Sequence, residues 1–550
     1  MKKFIVLILF GLMIVGFSAM AYAQKLEFKA SGTIDFDTVW ETNVPFYFGS
    51  VSVNQAGHTG LFQTWTTPAF YTAGSAAPGH RTGALDKSAA YTYARGVLRF
   101  DAIMSKELSG TIIFEIDALR SGQQTAGTLT QASMRNNLGA WATDQAAVEV
   151  KNVYIDFGLP YFGIPVPMTV RVGALPFGVR PNMVVYTDGM GIVGGINADP
   201  VTIIPMWGKM LEGTDYAADD ADMYGLHVNA KVGTFTVGGY GLNYNMNTYP
   251  LQYNSAAVGT PNPSYGIVIA GTQRADFWWL GAYVDGKAGP VNINFDFVYD
   301  RGTVEQRASK QTSALPVDDV KYRGWATRVK VDYPWEKFNF GGTFMYASGA
   351  DANKTSISGL PGTAVANPSS SLLSTKVGSY VVPPGSEQSP SSQESIVMYS
   401  CFNASADGGT GIAQAGNYQQ VSRGAFGGTW FAKAYGSFKA TPWYKVTLQG
   451  LYIGDTTKHG NTLGIARKAP FTTTSALRDD SDIGWELDII NEIDIYKNLK
   501  FFAGAGILFA GDGMDVWRRT APGVLPGNFA GANYSPKNPW NVTTRLLYSF

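Results

Sequence analysis

Apolar and polar residues alternate along most of this chain. Near the amino terminus Leu26, Phe28, Ala30, Gly32, Ile34, Phe36, Thr38 and Trp40 are interleaved with Glu27, Lys29, Ser31, Thr33, Asp35, Asp37 and Glu41. At the opposite end Val542, Thr544, Leu546, Tyr548 and Phe550 alternate with Asn541, Thr543, Arg545 and Ser549, with Leu547 alone out of step. A period of two sends successive side chains to opposite faces of a strand. With both ends carrying this repeat, the pattern predicts an all-β protein. It is read as a closed transmembrane antiparallel β-barrel whose first and last strands pair, apolar side chains facing lipid and polar ones facing an aqueous bore.

Short breaks in the alternation predict tight turns near 105–107, 159–165, 198–200, 233, 288–290, 334–337, 441–443 and 496–498. Eight turns imply about eighteen strands. The remaining connections are long: 42–90, 120–146, 246–274, 302–319, 348–426, 455–481 and 511–538. Turns on one side and long loops on the other are the asymmetry of outer-membrane barrels, with turns periplasmic and loops extracellular. Residues 189–197 and 201–209 are either a hairpin of the wall or a loop folded into the bore, and removing them leaves sixteen strands, still even.

The segment 348–426 is rich in Ser, Gly and Pro, which predicts an extracellular loop with too little apolar surface to fold alone. An apolar island at 396–402 interrupts it. That island either anchors the loop inside the barrel as a constriction or extends a strand above the membrane.

Lys2 and Lys3, an apolar run over 4–17 and Ala21-Tyr22-Ala23 before Gln24 form a secretory signal. Residues 1–23 are therefore expected to be removed, leaving 24–550 as a single barrel. Beyond residue 23 no apolar run is long enough for a spanning helix. A mean hydropathy of -0.04 still suits a barrel, because only alternate residues of each strand need be apolar.

Charge and motifs narrow the function. Lys+Arg and Asp+Glu both number 42, which leaves no net charge or basic cluster to bind nucleic acid. The single cysteine, Cys401, excludes an internal disulfide and haem attachment through Cys-x-x-Cys-His. The stretch 281–288 approaches a nucleotide-binding loop but ends in Ala288, where Ser or Thr would hold magnesium, and it sits within a strand. His58, His80, His227 and His459 are isolated, and no hydrolase motif is present. Asp219, Asp220 and Asp222 lack the ligand spacing of a calcium loop. No cofactor, metal or enzymatic activity is expected.

The functional signal is charge predicted to face the bore, where water makes it inexpensive. Alternation turns Arg95, Arg99 and Asp101 inward, with Glu115 and Asp117, Arg171, then Arg328, Lys330 and Asp332, and finally Glu486, Asp488, Glu492 and Asp494. A turn at Lys106 sets Arg95 opposite Asp117 and Arg99 diagonal to Glu115, a self-neutralising ladder. Arg328 and Lys330 are expected opposite Thr343 and Gly341, and Glu486 and Asp488 opposite Leu508 and Gly506. Those four, unpaired within their hairpins, are the candidates for shaping the field in the pore.

The ending Tyr548-Ser549-Phe550 resembles the terminal-strand signal of bacterial outer-membrane proteins, which implies insertion by the barrel-assembly machinery. Val170-Arg171-Val172-Gly173 with Pro176-Phe177-Gly178 resembles the alginate-export and related porin group, as do 219–225, 484–488 and 496–499. That resemblance implies a large monomeric barrel with an Arg-lined, anion-favouring pore in which Arg171 takes part; Ala174 stands where the group usually carries Arg. The expected function is a Gram-negative outer-membrane porin passing small hydrophilic solutes by passive diffusion. The alternatives are a channel selective for anionic sugars or organic acids, and a structural sleeve around a redox or secretion partner. Outer-membrane lipid is the expected surroundings, and the sequence leaves a monomer or homotrimer open.

Overall fold

The computed structural model describes residues 26–44, 87–117, 148–159, 165–181, 183–212, 218–247, 273–306, 319–354, 376–384, 394–399, 427–464, 466–471, 475–519 and 531–550. The expected signal peptide at 1–23 and Cys401 lie outside them.

Strands follow the alternation almost throughout. In chain order they are β1 (Glu27–Val44), β2 (Lys87–Ser105), β3 (Leu108–Asp117), β4 (Glu149–Gly158), β5 (Met168–Val179), β6 (Val185–Ala198) and β7 (Val201–Leu211). There follow β8 (Ala221–Val232), β9 (Phe235–Met246), β10 (Gln273–Ala288), β11 (Val291–Gln306), β12 (Asp319–Trp335), β13 (Phe338–Ala347) and β14 (Lys376–Val377). The last are β15 (Thr429–Thr441), β16 (Tyr444–Asp455), β17 (Asp482–Tyr496), β18 (Leu499–Ala510), β19 (Val516–Arg519), β20 (Gly531–Tyr534) and β21 (Trp540–Ser549).

Eighteen of these close into one antiparallel barrel, as the turns predict. β14 lies parallel to β12, and β19 with β20 forms a separate ribbon. The seam joins the two ends of the chain: β1 and β21 pair from Thr33 opposite Ser549 to Thr42 opposite Trp540. Past the last rung, the Gly32 and Phe550 amides each donate to the other's carbonyl, at 2.9 and 3.0 Å. Arg545 of β21 bonds Asp35 of β1 across the inner face at 2.5 Å. Closure matters because an open edge in lipid would leave a row of backbone groups without partners.

The uncertain hairpin is wall, since β6 pairs with β5 and β7 pairs with β8. The predicted turn at 159–165 lies mostly outside the described residues, and the strands flanking it, β4 and β5, pair; the other seven of the eight join neighbouring wall strands on one side. Gly233 and Gly289 hold φ near 61° and 60° there, the left-handed geometry that such turns favour glycine for.

The outer face is an apolar band between two aromatic rings. On β12, Trp335, Tyr333, Val331 and Trp325 are exposed outward, while Tyr322, Ala326 and Arg328 are buried inward. Ten residues separate Trp335 from Trp325. At about 3.4 Å per residue and a tilt near 40° they rise roughly 25 Å, the height of a lipid-facing band. Trp335, Phe338 and Phe438 stack in the turn-side ring, and Trp325 with Tyr346, and Trp430 with Tyr452 and Trp485, in the loop-side ring. Amphipathic rings settle at such boundaries.

Part of the interior is packed. Met183 to Val185, Tyr380 to Val382 and Val397 to Tyr399 pack inward onto Phe177, Tyr244, Trp279, Tyr322 and Phe431 to make one apolar core. The Tyr380 hydroxyl donates to the Met183 carbonyl at 2.6 Å, and the Trp279 indole donates to the Val381 carbonyl at 2.8 Å. Within 348–426, the stretches 379–382 and 394–399 thus lie against the inner wall, whereas 350–352 pack on Lys458 and Leu477 of a neighbouring connection.

Candidate functional site

Inward charge is arranged in pairs. On β2 and β3, Arg95 stands opposite Asp117 in register, as expected, but its guanidinium pairs with the diagonal Glu115. The side chain of Asp117 is outside the described residues. Lys151 of β4 also reaches Glu115, and extends to Asp188 of β6, at 2.9 Å each. With Glu115 engaged twice, Arg99 does not complete the expected ladder. It binds Asp101, two residues along the same face, at 2.9 Å, and Asp101 also accepts the Thr111 hydroxyl at 2.6 Å. Arg171 lies opposite Asp156 and donates to both carboxylate oxygens at 2.7 and 3.2 Å, with its guanidinium 4.6 Å from the Tyr154 ring centre.

The β12–β13 register differs from expectation by two residues: Arg328 faces Met345 and Lys330 faces Thr343. Pro334 reads as part of the turn, yet it lies in the strand opposite Asn339, which moves the turn centre one residue later. Lys330 sits 4.0 Å from Asp332 and 5.7 Å from the Tyr435 ring centre, with about a third of its side chain exposed (33%). Glu486 and Asp488 face Leu508 and Gly506, as expected.

Within their own hairpins Arg328, Glu486 and Asp488 face no opposite charge. The segment 394–399 supplies what the hairpins lack. Glu394 accepts from Arg328 at 2.7 and 3.2 Å and forms an ion pair with Lys433 of β15, which also donates to the Glu394 carbonyl at 2.9 Å. Glu486 accepts the Val397 and Met398 amides at 2.6 and 3.0 Å and the Ser395 hydroxyl at 2.9 Å. Asp488 accepts the Ile396 amide at 3.2 Å and the Gln449 amide group at 2.7 Å. Arg328, Glu486 and Asp488 are consequently buried, at 7%, 0% and 5% exposure, beneath this segment rather than open to the bore.

Burial pushes the Glu394 carboxyl up, but Lys433 and Arg328 outweigh it and hold it down at about 2. Gly506 opens the space for this contact: a Cβ there would run into the Asp488 carboxylate first and would meet Ile396 Cβ at 3.0 Å and Val397 Cγ2 at 3.1 Å.

A second inward contact continues the belt. Arg180, in the short connection between β5 and β6, bonds Asp285 of β10 at 2.5 and 3.2 Å and Asp296 of β11 at 2.5 and 2.7 Å, with its guanidinium 4.1 Å from the Tyr283 ring centre. Asp296 stands opposite Arg328 in register. From β10 to β17 the charges therefore alternate in sign, with inward segments contributing Arg180 and Glu394.

Sequence reasoning missed Glu394, Lys433, Lys151 and Arg180. Glu394 has a signal: it is an acid two residues before the apolar island in an otherwise Ser- and Pro-rich stretch. Arg180, a cation at the end of a strand, carries none.

A closed eighteen-stranded barrel with an apolar belt, paired inner charges and inward-folded connections belongs to the class of large transmembrane β-barrels. Solved structures similar to this chain include three Pseudomonas aeruginosa proteins. OccK9 (OpdG) matches at 9% identity and a TM-score of 0.44, covering 95% of this chain and 99% of its own. OpdQ matches at 8% and 0.43, covering 95% and 98%. OccK5 (OpdH) matches at 8% and 0.42, covering 95% and 98%. No protein-family model matches the sequence, and no curated protein matches it either.

Proposed function

We propose that the protein is an outer-membrane channel through which small hydrophilic solutes diffuse passively. The observation that carries this reading is the latch inside a closed, lipid-suited barrel: residues 394–399 bind Arg328, Lys433, Glu486 and Asp488 on the inner wall, and in this reading they narrow the bore at that level. In this reading Arg95, Arg99, Glu115, Asp117, Arg171 and Lys330 line the remaining passage. Arg328, Glu486 and Asp488 act by holding the narrowing segment in place. Mixed charges along the wall suit a solvated path with no energy coupling.

One observation favours a second reading, a preference for organic-acid anions. Arg328 and Lys433 converge on a carboxylate, and a carboxylate solute offers the same group.

Planar-bilayer recording of the purified protein tests both. Discrete conductance steps with a reversal potential in a salt gradient are expected, and folded protein that passes no current overturns the channel. Block by a small carboxylate that Arg328→Gln abolishes supports the selective reading. Equal block in both proteins removes it.

A further inference from the structure

Above the loop-side aromatic ring, the outer wall carries a rung that intramolecular contacts do not explain. Arg301 of β11 and Arg323 of β12 stand directly opposite each other in register. Both point outward and are exposed. Neither has a hydrogen bond or ion pair among the described residues. Like charges opposed across a strand pair destabilise the pairing, so this rung is unfavourable unless an anion bridges it.

Its position says which anion. The next rung down is Tyr299 opposite Trp325, and Arg301 is flanked on its other side by Trp278 of β10, in direct register. Trp278 and Trp325 are exposed at 46% and 37%. The arginines thus lie one rung, or a few ångströms, outside the apolar band, on the side of the long loops, at the depth of lipid head groups. Also on this face, Arg274 binds Glu305 at 2.6 Å, Asp276 accepts from Asn243 at 2.8 Å, and the exposed Lys321 adds a further cation one rung beyond Arg323. Two adjacent guanidinium forks match a phosphate, and flanking indoles pack against acyl chains.

We propose that Arg301 and Arg323 form a binding site for the phosphate of an outer-leaflet lipid head group, which pins the barrel to its surrounding lipid. The site rests on the outer-membrane reading of the fold, but not on what the bore conducts.

Delipidated full-length protein, wild type and R301Q/R323Q, is titrated with bis-phosphorylated lipid A, with dephosphorylated lipid A and with inorganic phosphate. Heat-modifiable gel mobility confirms that both proteins are folded, and bilayer conductance reads the channel separately. Wild type is expected to bind the phosphorylated lipid about ten-fold or more tightly than the double variant does. It should prefer that lipid to the dephosphorylated form by a similar factor, while R274Q binds like wild type. Equal binding by wild type and R301Q/R323Q overturns the site, as does equal binding of the two lipids. Displacement by millimolar inorganic phosphate would reassign it to soluble anions and overturn the lipid assignment. Loss of conductance with lipid binding intact counts against the channel alone.

Discussion

Glu394 is enclosed between a guanidinium and an ammonium, and its burial alone would favour the neutral form. Lys433 and Arg328 reverse that and hold it at about 2, against an ordinary 4.5. A carboxyl depressed in the docked state stabilises docking fully above its ordinary value, and that contribution vanishes as pH falls through the docked value; here it is on the order of 3 kcal/mol. Conductance should therefore be flat from neutral pH to about 5 and rise as the solution is acidified towards 2. Arg328 and Lys433 contact this carboxyl directly, while Glu486 and Asp488 face the same segment from β17. In Glu394→Gln two buried cations lose their counter-charge, a change that costs about 3 to 5 kcal/mol. Its conductance should be raised already at neutral pH, without Glu394's acid limb. Identical pH profiles for the two proteins would sink the latch. Gly506→Leu tests the same contact sterically, because the new side chain would displace the Asp488 carboxylate that holds the segment and occupy the space of Ile396 and Val397. Raised conductance at neutral pH with the acid response preserved in part is expected; wild-type conductance would show that the segment does not narrow the path.

Strands carry the second group of expectations. Val329 and Lys330 are neighbours on β12 with opposite facings, the valine in the outer band and the lysine towards the bore. Val329→Arg places a guanidinium in lipid at about 2 to 4 kcal/mol near the midplane, whereas Lys330→Val removes a charge from water. Only the first should abolish the heat-modifiable band on gels, and equal behaviour would invert the facings. Removing Phe550 deletes both amide exchanges with Gly32 that finish the seam. The fraction inserted in membranes should fall while synthesis is unchanged, and normal insertion would detach the terminal residue from closure. Faces were legible because two different solvents select alternate residues, so Phe28 and Asp35 already declare opposite sides. Register was less so: Pro334 looks like a turn residue in isolation, and only the pairing of Trp335 with Phe338 shows that the strand continues past it.

At the scale of the whole molecule the wall and its contents are separable. β13 pairs directly with β15, from Phe338 opposite Phe438 to Tyr346 opposite Trp430, so the long connection between them is not needed to complete the ring. Excising 349–425 should leave a heat-modifiable barrel that inserts, since shortening a loop changes closure entropy only slightly. Some stability is lost with the apolar contacts of Tyr380, Val381 and Tyr399. Conductance of the excised protein should rise several-fold as the bore empties. An unchanged value would place the ion path away from these segments.

The alternation and the turns were sufficient to define a closed barrel of about eighteen strands, with sixteen left open by 189–210, and the inward facing of Arg95, Arg171, Arg328 and Glu486. Those properties are local: each residue's face depends on its neighbours two positions away, and each turn on a few residues. What those charges do was decided only by tertiary structure. Glu394 meets Arg328 across 66 positions and Ser395 meets Glu486 across 91, and Arg180 reaches Asp296 across 116. No period in the sequence encodes such distances. They follow from folding a polar loop back into a cavity where a buried charge without a partner is costly.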